Sequence, residues 1–128
     1  MIIKTNPKQI LLVDDDELCL KLLTNYLDAA QYAYVTCKDG QLAWRYLQQY
    51  PDRFFVVLSD RIMPRLHGLQ LLAKMQLKEL NIPLILFSGE ISKEEKCEAF
   101  EQGIYDFFYK PISRALLLAS LKRIEKYY

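Results

Sequence analysis

Four short segments of this chain each end on a residue that can do chemistry. The run at Ile10–Val13 leads into Asp14-Asp15-Asp16, the run at Phe54–Ser59 into Asp60, Leu84–Phe87 into Ser88-Gly89, and Tyr105–Tyr109 into Lys110-Pro111. Two carboxylates about 4 Å apart repel by roughly 4 kcal/mol at an effective dielectric near 20, so a close acidic cluster calls for a cation. An all-oxygen donor set suits Mg²⁺, which keeps several waters and shares phosphate oxygens, so Asp14 and Asp15 are the candidate metal residues. With a divalent ion beside them, an incoming phosphoryl group is attracted instead of repelled. Lys110 then neutralises one of its oxygens and the Ser88 hydroxyl donates to another. Asp60 is left as the nucleophile, because carboxylates form aspartyl phosphates. Phosphoryl transfer asks for little beyond alignment and charge compensation.

These groups are far apart along the chain, so the elements between them must bring them together. Strands are predicted at Gln9–Val13, Tyr32–Thr36, Phe54–Ser59, Pro83–Ser88 and Tyr105–Tyr109, and helices at Glu17–Ala30, Gln41–Gln49, Leu69–Leu80, Lys93–Gln102 and Ser113–Tyr127. Strands that alternate with helices imply an α/β fold, a doubly wound five-stranded parallel sheet with five flanking helices. The first, third and fourth strands are continuously apolar, as strands covered on both faces are. The second and fifth are mixed and suit edges, which gives the order 2-1-3-4-5 of a flavodoxin-like sheet. All the strand ends named above then lie on one rim, where such folds collect ligands.

Helix spacing adds detail. In the first helix Leu18, Leu22, Tyr26 and Ala30 recur every four residues, with Cys19, Leu23 and Leu27 beside them, and the fifth repeats the pattern with Leu117, Leu121 and Ile124. The fourth opens on a Ser92–Glu95 capping pair and closes at Gly103, but its body, Lys93-Glu94-Glu95-Lys96, is charged. It is expected to be the most loosely anchored helix and the easiest to shift. Asp16 reads as the N-cap of the first helix.

The motifs I-L-L-V-D-D-D at Ile10–Asp16, L-S-D-R-I-M-P-R-L-H-G at Leu58–Gly68, F-S-G at Phe87–Gly89 and G-I-Y-D-F-F-Y-K-P at Gly103–Pro111, in that order, resemble the receiver domains of two-component response regulators. The resemblance runs from about Lys8 to Lys126 and extends to single-domain chemotaxis-type and phosphorelay receivers. It implies that Asp60 is the phosphoacceptor and that Asp15 and Asp60 bind Mg²⁺ directly, with Mn²⁺ as an alternative ion. Asp14 would help through water, and the backbone carbonyl of Ile62 would complete the protein ligands. Lys110 would pair with the phosphoryl group, with a cis peptide between Lys110 and Pro111. Ser88 and Phe107 would form a switch pair that remodels the surface of helix four, strand five and helix five, where a downstream protein target binds. The donor would be a sensor histidine kinase or a histidine phosphotransfer domain. The protein would be a signalling domain that catalyses only its own phosphorylation and dephosphorylation. Phe107 stands where a tyrosine is often found, Gly89 where alanine is usual, and His67 where an acid usually precedes the glycine; the segment from Pro51 to Asp60 is slightly long. None of these removes a chemical group from the site.

The bulk properties agree. A chain of 128 residues is the size of one domain and is 52% apolar, enough for a core without a staple. It reads as a single receiver domain over 1–128, core about 8–126, with no output domain, a stand-alone regulator or relay intermediate in preference to a receiver cut from a larger protein. With 17 basic and 16 acidic residues it lacks the basic excess of a dedicated nucleic-acid binder. Met1–Lys8 does not read as a signal peptide, no apolar run reaches membrane-spanning length, and a cytoplasmic location is expected. Cys19, Cys37 and Cys97 are odd in number and widely spaced, so they read as small buried hydrophobes. His67 is the sole histidine and reads as a solvent-facing loop residue; Trp44 reads as packing, and Lys122, Arg123, Lys126 and the closing Tyr127-Tyr128 as a solvated helix end.

Two other classes are set aside on residues. A phosphohydrolase of the haloacid-dehalogenase type needs a D-x-D pair after strand one, which Asp14 and Asp16 imitate. But Leu18 stands where threonine or valine is typical, and no acidic pair follows Lys110. A flavodoxin-type flavin site needs a hydroxyl- and glycine-rich phosphate loop there, and three aspartates repel a phosphate.

Overall fold

The computed structural model describes residues 8–127; the N-terminal reading of Met1–Pro7 and the final Tyr128 lie outside them. The elements follow in the order β1 (Gln9–Val13), α1 (Glu17–Ala29), β2 (Tyr34–Cys37), α2 (Gly40–Gln49), β3 (Phe54–Asp60), α3 (Gly68–Leu77), β4 (Leu84–Ser88), α4 (Lys93–Gln102), β5 (Asp106–Tyr109) and α5 (Arg114–Tyr127). All strand pairs are parallel and the order is β2-β1-β3-β4-β5, the doubly wound, flavodoxin-like sheet expected from the sequence.

Alternation along the strands splits the core into two layers. Leu11, Val13, Val57, Leu84, Leu86 and Phe107 face Ala43, Trp44, Leu47, Leu71, Met75 and Ala99 of α2, α3 and α4. Ile10, Leu12, Val56, Leu58, Ile85, Phe87 and Phe108 face Leu20, Leu23 and Leu27 of α1 and Leu117, Leu121 and Ile124 of α5. The inner strands β1, β3 and β4 are therefore buried on both sides, which is why they carry no polar alternation. Trp44 packs in this core as expected.

Element ends differ from the sequence reading by one to three residues, each for a local reason. The second strand starts at Tyr34 because the Tyr32 N–H bonds back to the Leu27 carbonyl at 2.9 Å, closing α1, with Gln31 at φ 64°. α3 stops at Leu77, short of Leu80, because Glu79 turns to φ 55° and the Leu80 N–H returns to Met75. β3 runs one residue further than expected and takes in Asp60 itself.

Two packing expectations need correction. The buried line of α1 is Leu20, Leu23 and Leu27, and Leu18 is 80% exposed. At 3.6 residues per turn Leu18 stands about 200° round the helix from Leu20 and about 140° from Leu23, so it points away from the sheet that covers the buried line. Of the cysteines, Cys37 is buried, Cys19 half-buried and Cys97 exposed. Cys97 lies on α4, whose single buried residue is Ala99, so the helix presents most of its surface to water. That confirms the loose anchoring read from its charged body. Its Ser92–Glu95 capping box and its left-handed Gly103 terminus, φ 112°, are also present. Among the described residues no helix is long and apolar enough to cross a membrane.

Candidate functional site

Sheet register assembles the site. Val13 pairs with Ser59, so Asp14, one residue past β1, comes beside Asp60 at the end of β3. Ser88 pairs with Tyr109, which brings Lys110 to the same rim, and the Lys110 N–H bonds the Ser88 carbonyl at 2.9 Å. The Lys110–Pro111 peptide is cis. Asp16 does not join the cluster: its carboxylate accepts from the Leu18 N–H at 3.0 Å as the N-cap of α1. That placement also removes the D-x-D pairing a haloacid-dehalogenase site would require.

Asp14 is fully buried, Asp60 is 9% exposed and Asp15 faces solvent. One carboxylate oxygen from each lies within 4.8 Å of the others. Lys110 Nζ sits between two of them, 3.1 Å from Asp60 Oδ2 and 3.0 Å from Asp14 Oδ2. The contact to Asp60 is a hydrogen bond, whereas Asp14 Oδ2 is charge-paired but receives no hydrogen bond. Asp14 Oδ1 is occupied by the Asp16 N–H at 3.0 Å.

Burial first, and then the charge of Asp14, push the Asp60 carboxyl up to about 6 against the downward pull of Lys110. For Lys110, burial disfavours the ammonium, but the close approach of Asp14 and Asp60 outweighs it and raises its pKa. One ammonium thus faces three carboxylates and leaves the cluster short of positive charge. The donor set is all oxygen, two of its members are held firmly by burial, and one buried oxygen lacks a hydrogen bond. These features fit a hard divalent cation of the Mg²⁺ kind.

Around this centre the other sequence-predicted residues take varied positions. The Ser88 hydroxyl points along the chain, donating to the Glu90 carbonyl at 2.7 Å and accepting from the Glu90 N–H at 3.3 Å. Phe107 is buried and meets Tyr109 edge to face at 5.0 Å, while Lys96 Nζ of α4 lies 5.3 Å from the first ring and 4.9 Å from the second. Ile62 is 56% exposed at the mouth of the rim. His67 is exposed, as expected, and its Nδ1 accepts from the Met63 N–H at 3.3 Å. Gln70 supplies the firm end of this cap, accepting from the His67 N–H at 2.9 Å.

Three residues carry weight that the sequence did not announce. Gly68 lies against the end of β3: a Cβ there would stand 2.6 Å from the Asp60 carbonyl and 2.6 Å from Leu86 Cδ1. Half-buried Cys19 leans on Asp14, and burial together with that carboxylate raises its thiol pKa, so it stays protonated. Arg61 crosses from β3 to the loop before α4. Its only sequence signal is a charged residue directly after a strand-ending acid, since its partners are about thirty positions away.

Known proteins share this arrangement. The family described as response regulator receiver domain matches residues 10–122. A two-component response regulator of Arabidopsis thaliana is 32% identical over 104 residues, covering 81% of this chain and 19% of that protein. The transcriptional regulatory protein GlrR of Escherichia coli is 32% identical over 115 residues, 90% of this chain and 26% of that protein. The chain therefore spans about a quarter or less of the length of these relatives. Among solved structures, a Francisella response regulator receiver domain superposes with a TM-score of 0.85 at 25% identity, covering 94% of this chain and 98% of that one. A CheY chemotaxis protein of Vibrio cholerae gives 0.80 at 28% identity, with 91% and 98% covered. Phosphorylation and Mg²⁺ binding in an acidic pocket are typical of this family. With the family's sequence pattern across nearly its whole length and the family's fold around its acidic rim, the chain belongs to the response regulator receiver domains of two-component signalling.

Proposed function

We propose that this receiver domain takes a phosphoryl group from a phosphohistidine donor onto Asp60 and switches the surface of α4, β5 and α5 in response. The observation that carries the reading is the Lys110 ammonium set 3.1 Å from Asp60 and 3.0 Å from Asp14, with an Asp15 oxygen within 4.8 Å. A sensor histidine kinase or a histidine phosphotransfer domain is the donor.

In the transfer, an Asp60 carboxylate oxygen attacks phosphorus, the P–N bond to the donor imidazole breaks, and the nitrogen keeps the electron pair and is reprotonated. Lys110 shifts its charge from the Asp60 carboxylate to a phosphoryl oxygen. Ser88 turns from the Glu90 carbonyl to donate to another. Asp14, Asp15, Asp60 and the Ile62 carbonyl are the residues that would hold Mg²⁺, or Mn²⁺ in its place. The bound ion would supply positive charge to the phosphoryl oxygens.

Once Ser88 has turned, the space it leaves is open to the Phe107 ring, and the Phe107–Tyr109–Lys96 contact must rearrange. That contact spans β5 and α4, so a downstream protein reading α4, β5 and α5 would sense it. The same rim hydrolyses the aspartyl phosphate when water takes the donor's place, which makes the domain a timer and not a turnover enzyme. Intact mass measured before and after acetyl phosphate with Mg²⁺ tests the reading. Wild type gains one phosphoryl group, while Asp60→Asn gains none. Labelling that survives in Asp60→Asn, or needs no divalent ion, overturns it.

A further inference from the structure

Arg61 follows Asp60 directly, yet its side chain turns away from the acidic rim and spans to another element. Its Nη2 donates to the Glu90 carbonyl at 2.9 Å, and its Nη1 to Glu95 Oε2 at 3.1 Å. Glu90 lies in the loop between β4 and α4, and Glu95 in the first turn of α4. The Arg61 side chain is only 19% exposed, and its Nε is buried without a partner. An exposed ion pair between flexible side chains contributes little, and Glu95 is half-exposed, but the guanidinium itself is mostly covered and grips two points, the loop and the first turn of α4, at once.

The same Glu90 carbonyl also accepts from Ser88 Oγ at 2.7 Å. One oxygen is thus shared by the hydroxyl beside the phosphoryl site and by the guanidinium anchored next to the phosphoacceptor. Beyond the fork, α4 is held by Ala99, its single buried residue, by Lys96 over the Phe107 and Tyr109 rings, and at its far end by Gln76 Nε2 donating to the Gln102 carbonyl, so the fork is the tie of its first turn to β3. Its capping box uses the other Glu95 oxygen, which accepts from the Ser92 N–H at 3.1 Å, so cap and fork share one carboxylate. A cleft bordered by Arg61, Glu90, Ser92, Glu95 and Tyr109 leaves room for the loop to shift.

We propose that Arg61 is a positioning residue that latches the β4–α4 loop and the first turn of α4 to the end of β3, and so opposes the switch. The inference rests on Asp60 being the phosphoacceptor. Displacing either the loop or α4 from β3 breaks at least one prong, so the latch favours the arrangement in which Ser88 bonds Glu90. Phosphorylation removes the Ser88 bond, leaving Arg61 as the remaining side-chain restraint on that carbonyl, and the loop must then overcome only the fork.

The test is titration with beryllofluoride, a phosphoryl mimic, in the presence of Mg²⁺, on wild type, Arg61→Ala, Glu95→Gln and the double variant. Gln at 95 keeps the capping-box reach while discarding the charge. Arg61→Ala is expected to bind about five-fold tighter than wild type, within the usual range of coupling between sites. Glu95→Gln gains less, and the double variant matches Arg61→Ala, because both substitutions open one latch. Without beryllofluoride, hydrogen exchange at the amides of Ser92–Lys96 should quicken in Arg61→Ala, with β1 amides unchanged. Affinity equal to or weaker than wild type in Arg61→Ala, or additive effects in the double variant, overturns the latch. Beryllofluoride binding that is absent in wild type, or that persists in Asp60→Asn, instead removes the phosphoacceptor reading, a failure that does not involve Arg61.

Discussion

Lys110 Nζ lies 3.1 Å from Oδ2 of Asp60, a residue 50 positions earlier in the chain. Because the same ammonium touches the buried Asp14 at 3.0 Å, it compensates two carboxylates at once and is the keystone of the rim in the absence of a divalent ion. Its burial and theirs make the arrangement sensitive to the loss of either sign of charge.

Replacing Lys110 with methionine should therefore destabilise the metal-free protein by about 3–5 kcal/mol, the usual cost of stranding a buried charge. Mg²⁺ should recover a larger share of stability in Lys110→Met than it adds to wild type, since three carboxylates would then lack any cation. Urea denaturation with and without Mg²⁺ measures both. An unchanged midpoint in chelator would show that the ammonium is not the compensating charge.

The raised pKa of Asp60 sets a pH dependence. Its ordinary value of 3.8 is pushed up to about 6 in the folded protein, so between these values the native state holds a proton that the unfolded chain has released. The protonation-linked stability is complete below about pH 4 and is lost as pH rises through about 6, so this group favours the acid side in the metal-free protein. Divalent binding has the opposite dependence, because a ligand must be deprotonated. Mg²⁺ affinity should fall about ten-fold between neutral pH and one unit below the Asp60 midpoint. Calorimetric titration at pH 5 and pH 7.5 checks the direction; equal affinities would place the Asp60 midpoint elsewhere.

Gly68 is expected to tolerate no side chain. A Cβ would meet the Asp60 carbonyl and Leu86 Cδ1, both at 2.6 Å, and Ser59 Oγ at 3.1 Å. Gly68→Ala should cost about 1–3 kcal/mol by overpacking and, on the proposed function, should slow acetyl phosphate labelling, because relief of the clash moves the backbone of Asp60. Chemical denaturation and labelling rates read the two effects separately. Wild-type values in both would mean that α3 can retreat from β3 without cost.

The rotated face of α1 gives a paired comparison. Leu23 is fully buried and Leu18 is 80% exposed, although the four-residue spacing placed Leu18 on the apolar stripe. Leu23→Ala should lose about 2–5 kcal/mol, whereas Leu18→Ala should stay within about 0.5 kcal/mol of wild type. Comparable losses at the two positions would restore the stripe as first drawn.

Fold class, strand order and the gathering of Asp14, Asp15, Asp60 and Lys110 at one rim were legible in the chain, whereas the turn of the Ser88 hydroxyl to the Glu90 carbonyl was not. Doubly buried strands lose their polar alternation, and a parallel sheet must deliver all its strand ends to one rim. Local chemistry was equally readable at Asp16, at the Ser92–Glu95 box and at Gly103, where a cap and its partner lie within a few residues. What the sequence could not decide depends on distance in space. Leu18 and Leu23 have the same side chain on different faces of one helix, and only the way α1 docks on the sheet determines which face is covered. Cys97 differs from Cys37 because α4 sits shallowly against the core, a matter of packing and not of residue type. Gly68 is required because α3 approaches β3 closely, and the Arg61 fork exists because a loop about thirty residues away passes beside it. Periodicity and capping act through neighbours in the chain and leave a trace there; steric contact and charge pairing between elements arise only once the sheet has brought those elements together.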